Sequence, residues 1–464
     1  MRNPYSSEDQ PYQPGAWSLP DAEPGSPNRK SLPLAELYPE KSDYLVLDAL
    51  RYHDASFAVS EWQGIWTKVW VCAGRLSDIA EAGEWFKFDI GRESLIITRQ
   101  NDLSVKAFYN VCQHRGRQLV TADSGLSHSF VCPYHSWTFG LDGSNCKITS
   151  KECFDKRALS GDLGLKAVRC ETWAGFIFIT MNDDAPPLLD FLDELPDTLS
   201  AFRMEDMHVV KDVAIEVPCN WKAAMEAFLE PYHAHATHTQ ILPAVDEYFN
   251  QYDFYRNGHA RVITPVGLPS PRYPDQTEVN PGLAFMLMEV GIDPQTFQGG
   301  AHDVRQALWN AKRQSDNAYG LDYSGYTDSQ LTDDWNPSFF PNMTINLHPE
   351  GAMVMRFLPH PSDPGRCTFN VWILIPKLKP GVRPPWYFGV EDDVDVSGAT
   401  RPERRYASLD NPGLGEVIEQ DLTNLVAMQR GLVSRGIRDG IRLGELEQRI
   451  QQLHAELDRL IARI

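Results

Sequence analysis

Two short loops in the first third of the chain constrain its fold more than any other feature. Cys112 and His114 form the first pair, Cys132 and His135 form the second, and seventeen residues separate His114 from Cys132. Each loop therefore offers one thiolate and one imidazole to a metal. Structural zinc sites normally pair like with like, Cys with Cys and His with His. A mixed pair in each loop suits a two-iron cluster, in which both cysteines bind one iron and both histidines bind the other. A structural zinc knuckle is the alternative.

The pattern of these loops resembles the Rieske [2Fe–2S] motif. Rieske proteins of respiratory complexes carry two further cysteines, which form a disulfide over the cluster. Arg117 and Tyr134 stand at those two positions here. The resemblance is therefore to the oxygenase type of Rieske domain, which implies a cluster of lower potential that is stable in a reducing compartment.

A second group of candidate metal ligands lies in the segment PYHAHATHTQ, which contains His233, His235 and His238. We expect this segment to belong to a helix that begins at Trp221. His235 and His238 are three residues apart and would share one face, whereas His233 and His238 are about 140° apart on an ideal helix. Spacing alone thus favours His235 and His238, unless Pro231 or a π-bulge distorts the helix.

The resemblance to Rieske oxygenases favours a different pair. The segment is similar to their pattern N-W-K…E-x-F-x-acid-x-Tyr-His-x4-His, in which the two outer histidines bind a mononuclear iron. This implies His233 and His238 as ligands. The third ligand in the family is a carboxylate on a late helix, in a segment like E-x-D-x-x-N followed by Gln, which implies Asp421, with Glu419 as the alternative. Two histidines and one carboxylate leave positions open for oxygen.

Glu230 lies three residues before His233, where the family more often has Asp. In the family this acid links a cluster histidine of one subunit to an iron-binding histidine of the next, which implies a catalytic role for Glu230. Some relatives, including enzymes that act on quaternary amines, also have Glu at this position. Ala227 stands where Asn is common, so the family role of that amide has no counterpart here.

The order of the predicted elements divides the chain into four segments. Residues 1–43 are rich in Pro, Ser and charge, which predicts a mobile arm. Residues 44–185 contain a flanking helix and a strand-rich domain with both metal-binding loops. Residues 186–440 mix long helices with antiparallel strands, and residues 441–464 form a C-terminal helix. The resemblance implies an α+β chain, in which a β-rich Rieske domain precedes a helix-grip (START-like) catalytic domain.

The C-terminal segment carries an apolar heptad over three repeats. Its apolar residues alternate in steps of three and four: Leu443, Leu446, Ile450, Leu453, Leu457, Leu460 and Ile464. This pattern predicts a self-associating coiled coil that clamps an assembly without taking part in chemistry. The alternative is an amphipathic helix packed on its own domain.

The charge of the chain disfavours several classes of partner. It has 43 basic and 63 acidic residues, a net charge of −20, which is unsuited to nucleic acids and to anionic membranes. No apolar run approaches the ~20 residues that span a bilayer, and the N-terminus lacks the apolar core of a signal peptide. We therefore expect a cytoplasmic protein, whose six cysteines outside the loops are free thiols.

The two motifs together imply the catalytic (alpha) subunit of a Rieske non-haem iron oxygenase of the aromatic-ring-hydroxylating family. The implied cofactors are a [2Fe–2S] cluster and Fe(II). Electrons from NAD(P)H would arrive through a separate ferredoxin or reductase, since the chain has no G-x-G-x-x-G nucleotide loop. The implied assembly is a homotrimer, with a possible beta subunit, because the two iron sites of one such chain are too far apart for efficient electron transfer.

The substrate is the least constrained part of this prediction. The apolar run Leu283–Met288 and the strand Met353–Leu358 predict an apolar pocket, and hence an aromatic or polycyclic substrate, unless both segments only build the core. One alternative is a monooxygenase or oxidative demethylase of an amine or an ether. A non-enzymatic alternative is a Rieske electron carrier, which would have no mononuclear iron.

Overall fold

The structure, a computed structural model, describes residues 44–464 and, before them, residues 6–7, 10–11, 32 and 34–39. The predicted mobile arm at 1–43 thus lies largely outside the described residues. Within it, 6–7 pair with 10–11 as a short antiparallel ladder, and helix α1 spans Leu34–Leu37. No helix in the described ranges is long and apolar enough to cross a bilayer.

The first domain is rich in strands, as the sequence predicts. Its strands are β1 Val46–Leu47, β2 Val71–Arg75, β3 Glu84–Ile90, β4 Glu93–Arg99, β5 Val105–Tyr109, β6 Ser124–Leu126, β7 Ser129–Val131, β8 Thr138–Gly140, β9 Asn145–Lys147, β10 Ala167–Trp173 and β11 Phe176–Thr180. A seven-stranded antiparallel sheet has the order β2-β11-β10-β5-β4-β3-β6, and a three-stranded sheet has the order β9-β8-β7. The predicted flanking helix is α2, Ala55–Glu61, which continues into a π-helical turn at Trp62–Trp66.

The second domain is built on one eight-stranded sheet. Its strands are β12 His208–Val217, β13 Gln251–Phe254, β14 Ala260–Thr264, β15 Asp334–Phe339, β16 Met343–His348, β17 Gly351–Pro359, β18 Cys367–Ile375 and β19 Arg405–Ala407. The strand order is β13-β14-β15-β16-β17-β18-β12-β19, and all neighbours are antiparallel except β12 and β19. Its helices are α3 Leu188–Leu192, α4 Leu195–Leu199, α5 Trp221–Glu226, α6 Ala234–Thr237, α7 Pro281–Glu289, α8 Val304–Lys312, α9 Asp328–Thr332 and α10 Glu416–Leu432. The mixture of helices and antiparallel strands is the predicted α+β class.

The two faces of this sheet have different partners, because successive residues of a strand point to opposite sides. On one side the Arg356 guanidinium donates to the carbonyls of Cys72 and Ala73, at 3.0 Å each, and so ties the sheet to β2 of the first domain. On the other side Phe357 packs against Phe228, with ring centroids 5.6 Å apart. The segment that follows α5 therefore lies on the face turned away from the Rieske-like domain.

The C-terminal segment differs from the predicted coiled coil. Helix α11 spans Gln448–Ile461, and the residues before it form strand β20, Ile441–Arg442, which pairs with β1. The seam residues Ile450, Leu453 and Leu457 are 5%, 3% and 0% exposed within their own chain. The prediction of a self-associating coiled coil is therefore wrong, and the intramolecular alternative holds. The heptad spacing predicts an apolar stripe on the helix, but it does not determine whether the same chain or a partner helix covers that stripe.

Substitution of the seam residues distinguishes the two arrangements in solution. Leu457→Ala should lower the free energy of unfolding by about 2–5 kcal/mol, because it opens a cavity at a fully buried site. Leu460→Ala is the matched control on the same seam; Leu460 is only partly buried, so a smaller loss is expected. Urea unfolding midpoints measure both effects. Equal losses would indicate that a partner helix covers the whole seam.

Candidate metal centres

The two cysteine loops of the first domain have the same backbone design. The Cys112 amide donates to the carbonyl five residues later, and the Gly116 amide donates back to the Cys112 carbonyl. Cys132 and Ser136 repeat both bonds in the second loop. Gly116 (φ +75°) and Ser136 (φ +60°) occupy the same left-handed position, which glycine adopts without strain. The sequence therefore builds two equivalent tight turns, each of which presents a Cys and a His.

The four predicted cluster residues converge between these turns. Both cysteines are 2% exposed, and burial together with the adjacent Cys132 thiol raises the pKa of Cys112. The His114 and His135 rings lie 4.6 Å apart between centroids. Neither Nδ1 atom has a hydrogen-bond partner in the described part of the chain, although both are buried. Buried polar atoms without partners are rare, so two thiols and two free Nδ1 atoms fit a [2Fe–2S] cluster of the Rieske type.

The second centre begins with a break in the expected helix. Helix α5 starts at Trp221, where the Asn220 side chain accepts from the Lys222 amide, and ends at Glu226. After a turn that contains Pro231, the chain forms only the four residues of α6. The single helix predicted from Trp221 onward is therefore two short ones. Proline removes a backbone donor and excludes a continuous helix at this point.

This break brings the two outer histidines together. His233 and His238 flank α6, and their Nε2 atoms lie 3.1 Å apart. Asp421, on α10, places Oδ1 3.4 Å from the Nε2 of His233 and 3.1 Å from that of His238. The three residues offer ligand atoms that all lie within 4.8 Å of one another. His235 is outside this group, and its Nδ1 is 2.6 Å from the Tyr232 carbonyl.

Two acceptors fix the orientation of the imidazoles. The Nδ1 atom of His233 lies 2.7 Å from Glu230 Oε1, and that of His238 lies 2.7 Å from Gln420 Oε1. Gln240 donates to the same Gln420 oxygen at 2.9 Å, which holds the amide in place. A ring that donates from Nδ1 presents the lone pair of Nε2 to a metal. Gln420 was not predicted from the sequence, because nothing in its spacing distinguishes it from other polar residues on α10.

The alternative carboxylate of the sequence analysis has another role. Glu419 Oε1 accepts a hydrogen bond at 3.1 Å from the amide of Leu414, which lies two residues before α10 begins. It is not among the grouped ligand atoms. Of the two acids considered, the structure brings only Asp421 to the histidines.

The electrostatics of this centre favour a cation. Burial lowers the pKa of His233, but hydrogen bonds to Asp421 and Glu230 outweigh burial and raise it to about 10. Burial likewise opposes ionisation of Asp421, yet the hydrogen bonds from His233 and His238 hold its pKa below the usual value. Two carboxylates thus stabilise positive charge at the point where the Nε2 atoms meet. A divalent metal can take the place of the proton that these groups otherwise share.

The sheet face under this centre is more polar than the predicted apolar pocket. Asn336 donates to Asn346 at 3.1 Å, and Asn346 donates to Asp334 at 2.8 Å. Asn346 pairs with Met353 of β17 and so points to the same side of the sheet as Met353. Met353 and Phe357 lie on one face of β17. Phe228, in the segment after α5, packs on that face. We call Asp334, Asn336 and Asn346 the polar strip. It lies on the same face as the candidate metal centre.

The two segments on which the apolar pocket was predicted contribute to cores. In α7, Leu283 and Leu287 are fully buried and form a small separate core with Val304 and Leu308 of α8. In β17 most side chains are buried in the main core. Leu283, Leu287 and most of β17 thus fit the core alternative, whereas Phe285 and Met288 of the same apolar run are 41% and 55% exposed.

Two protein families match the chain in the order that the motifs predict. The Rieske [2Fe-2S] domain matches residues 69–163, and the ring hydroxylating alpha subunit (catalytic domain) matches residues 204–463. The first match contains both cysteine loops, and the second contains the three grouped ligands and all of α11.

Several curated proteins are similar to the chain. The carnitine monooxygenase oxygenase subunit of Acinetobacter pittii is 30% identical over 262 residues, which cover 51% of this chain and 69% of the relative. The glycine betaine monooxygenase oxygenase subunit of Pseudomonas aeruginosa is 32% identical over 43% of this chain and 49% of that protein. The large oxygenase component of a Burkholderia 2,4-dinitrotoluene dioxygenase system is 36% identical over 42% and 45%.

Solved structures share the fold over most of the chain. The quaternary ammonium Rieske monooxygenase CntA in complex with L-carnitine has a TM-score of 0.63 at 20% identity, covering 92% of this chain and 99% of that one. Naphthalene 1,2-dioxygenase from Rhodococcus has a TM-score of 0.63 at 18% identity, covering 92% and 97%. At this identity the likeness concerns the fold.

The geometry predicts a graded response of metal binding at the second centre. Gln420→Ala should weaken metal affinity about 10–100-fold, the usual effect of removing a partner of a ligand histidine. His233→Ala should weaken it further, because it removes a ligand atom, whereas His235→Ala is the matched control and should change nothing. Titration of metal-stripped protein with Fe(II), monitored separately from the cluster absorption, measures all three. Loss of binding in His235→Ala with retention in His233→Ala would contradict the site.

Proposed function

Because the chain belongs to the ring-hydroxylating alpha-subunit family of Rieske oxygenases, we propose that it oxygenates an amine substrate at an iron held by His233, His238 and Asp421. The family makes the chain an oxidoreductase with a Rieske [2Fe–2S] cluster and a non-haem iron. One observation carries the assignment of this iron: two imidazole nitrogens and one buried carboxylate oxygen converge within 4.8 Å. A Rieske electron carrier would have no use for this group.

We assign the cluster to the first centre. Cys112 and Cys132 would bind one iron as thiolates, and His114 and His135 would bind the other through Nδ1. The two unpartnered Nδ1 atoms support this choice of ring nitrogen. Trp137 stacks on the His114 ring, with centroids 4.9 Å apart and planes within 7° of parallel, and so fixes its orientation.

The residues of the second centre have separable tasks. When bound, the iron supplies the activation of O2, with electrons that come from the cluster. Asp421 and the two Nε2 atoms would hold the iron, and a site with three protein ligands would leave positions for oxygen and substrate. Glu230 and Gln420 hold the Nδ1 protons of His233 and His238, which keeps both rings in the tautomer that binds metal.

Three observations support an amine as the substrate. Relatives named for carnitine and glycine betaine oxygenation are similar to this chain in sequence, and a quaternary ammonium monooxygenase shares its fold. Glu230 replaces the commoner Asp, as in some relatives that act on quaternary amines. The polar strip contains the Asp334 carboxylate, which attracts the cationic group of an amine but not an aromatic hydrocarbon. The similarity to the dinitrotoluene dioxygenase component favours an aromatic substrate as the second candidate.

Members of this family draw electrons from a separate ferredoxin or reductase, and we propose that three chains form a homotrimer. In that arrangement Glu230, already bonded to His233, would reach a cluster histidine of the neighbouring chain. The proposal rests on the family and on the position of Glu230. A solution mass of three chains is expected, and a fully active monomer would contradict it.

A turnover assay with a surrogate reductase and NADH tests the proposed reaction. Glycine betaine, carnitine and γ-butyrobetaine form the amine set, and naphthalene and 2,4-dinitrotoluene form the aromatic set. We expect oxygenated product from an amine, with oxygen from 18O-labelled O2. Asp421→Ala is the control. The surrogate reductase should still reduce the cluster of this variant, but no product should form. Product from the aromatic set alone would refute the amine assignment, and no product with a reducible cluster would favour the electron carrier.

A further inference from the structure

A buried guanidinium with incomplete hydrogen bonding contacts the segment that leads to the second centre. Arg449, in the first turn of α11, is 1% exposed. Its Nη1 donates to the Leu229 carbonyl at 3.3 Å and to the Asn336 side chain at 2.9 Å. Its Nε and Nη2 atoms are buried and have no hydrogen-bond partner among the residues that the structure describes. No described carboxylate lies within ion-pair distance of it.

The other large buried arginines are better satisfied. Arg305 and Arg261 each have a carboxylate at 2.6 Å. Arg356 and Arg75 have no carboxylate bond, but each uses at least two side-chain nitrogens on oxygen acceptors and lies over an aromatic ring. Arg449 uses one nitrogen of three. A buried cation without compensation is costly, so the missing partner requires an explanation.

The position of Arg449 relates this missing partner to the proposed site. Leu229 directly precedes Glu230, and Asn336 is the middle member of the polar strip. Arg449 therefore bridges the segment that leads to the candidate iron ligands and the sheet face beneath them. Burial lowers its pKa to about 9, so the group remains cationic at neutral pH. Asp334, at the other end of the strip, attracts this cation without forming an ion pair with it, and its Oδ1 lies 3.4 Å from His348 Nε2.

We propose that Arg449 binds a carboxylate of the substrate through its Nε and Nη2 atoms, so that the substrate is an amine that also carries an anionic group. These two nitrogens form the side of a guanidinium that pairs with both oxygens of a carboxylate. Both are shielded from solvent, where such a bond is strongest. This inference rests on the proposed amine oxygenation and narrows its substrate class. A cluster of ordered waters is the competing occupant.

Matched acid and ester probes test this assignment without turnover. The probes are γ-butyrobetaine with its methyl ester, and benzoate with methyl benzoate, titrated calorimetrically into the anaerobic holoenzyme without reductase. In the wild type we expect the acid of at least one pair to bind at least about tenfold more tightly than its ester, the usual strength of a charged hydrogen bond. Arg449→Met should abolish this preference. Arg459→Met is the control on the same helix, where the cation already has Glu456.

The outcomes separate the two proposals. Absence of any acid preference in the wild type, or a preference that survives Arg449→Met, would overturn the carboxylate assignment and favour ordered water. An Arg449-dependent preference confined to benzoate, with no amine turnover, would refute the amine substrate but retain the anion site. Cluster absorption checks folding of each variant. If Arg449→Met does not fold, Arg449→Gln, which can keep the bonds to Leu229 and Asn336, should lose the preference as well.

Discussion

The convergence of two imidazoles and one carboxylate on a single point is the constraint on which the rest of the second domain depends. His233 and His238 come from the broken helix after α5, whereas Asp421 comes from α10, far away in sequence. A buried carboxylate in contact with the buried His238 ring and the half-buried His233 ring would be unfavourable without a shared cation or proton. The fold must therefore hold both segments rigidly, at some cost in stability.

Several polar contacts supply that rigidity. Gln429 of α10 accepts from the Asn220 amide at 2.9 Å and so fixes α10 to the start of α5. His454 of α11 lies 2.8 Å from Glu226 at the end of α5, and Tyr52 donates to the same carboxylate at 2.9 Å. Both ends of α5 are thus tied to distant parts of the chain. The C-terminal helix, which the heptad pattern assigned to assembly, instead supports the segment that carries the histidines.

The two faces of the eight-stranded sheet have different roles, one structural and one at the candidate iron site. The face that holds Arg356 joins the two domains; Arg356 donates there to Asn370, and Trp372 and Val354 are fully buried. The opposite face carries the polar strip and the candidate iron ligands. Polar groups on this face cost stability unless they are paired, and Arg449 is incompletely paired. We relate the stability cost of the incompletely paired Arg449 to recognition of a charged substrate.

Local patterns predicted much of this architecture, and long-range contacts explain what they missed. The strand-rich first domain and the mixed Cys and His pairs of the cluster loops were both recognisable, because each signal is contained in a few neighbouring residues. Spacing alone favoured His235, since an ideal helix was assumed where Pro231 interrupts it. Asp421 required the family resemblance. Gln420 and Arg449 had no signal, because their partners lie far away in sequence.

Anomalous X-ray diffraction across the iron absorption edge tests the central claim most directly. Crystals of the holoenzyme should show three irons per chain, at two sites. One should lie among Cys112, His114, Cys132 and His135, and the other within bonding distance of the Nε2 atoms of His233 and His238 and of Asp421. The iron of one chain should also lie beside the cluster of its neighbour. A signal at the zinc edge in the first position, or no metal between His233, His238 and Asp421, would contradict the account.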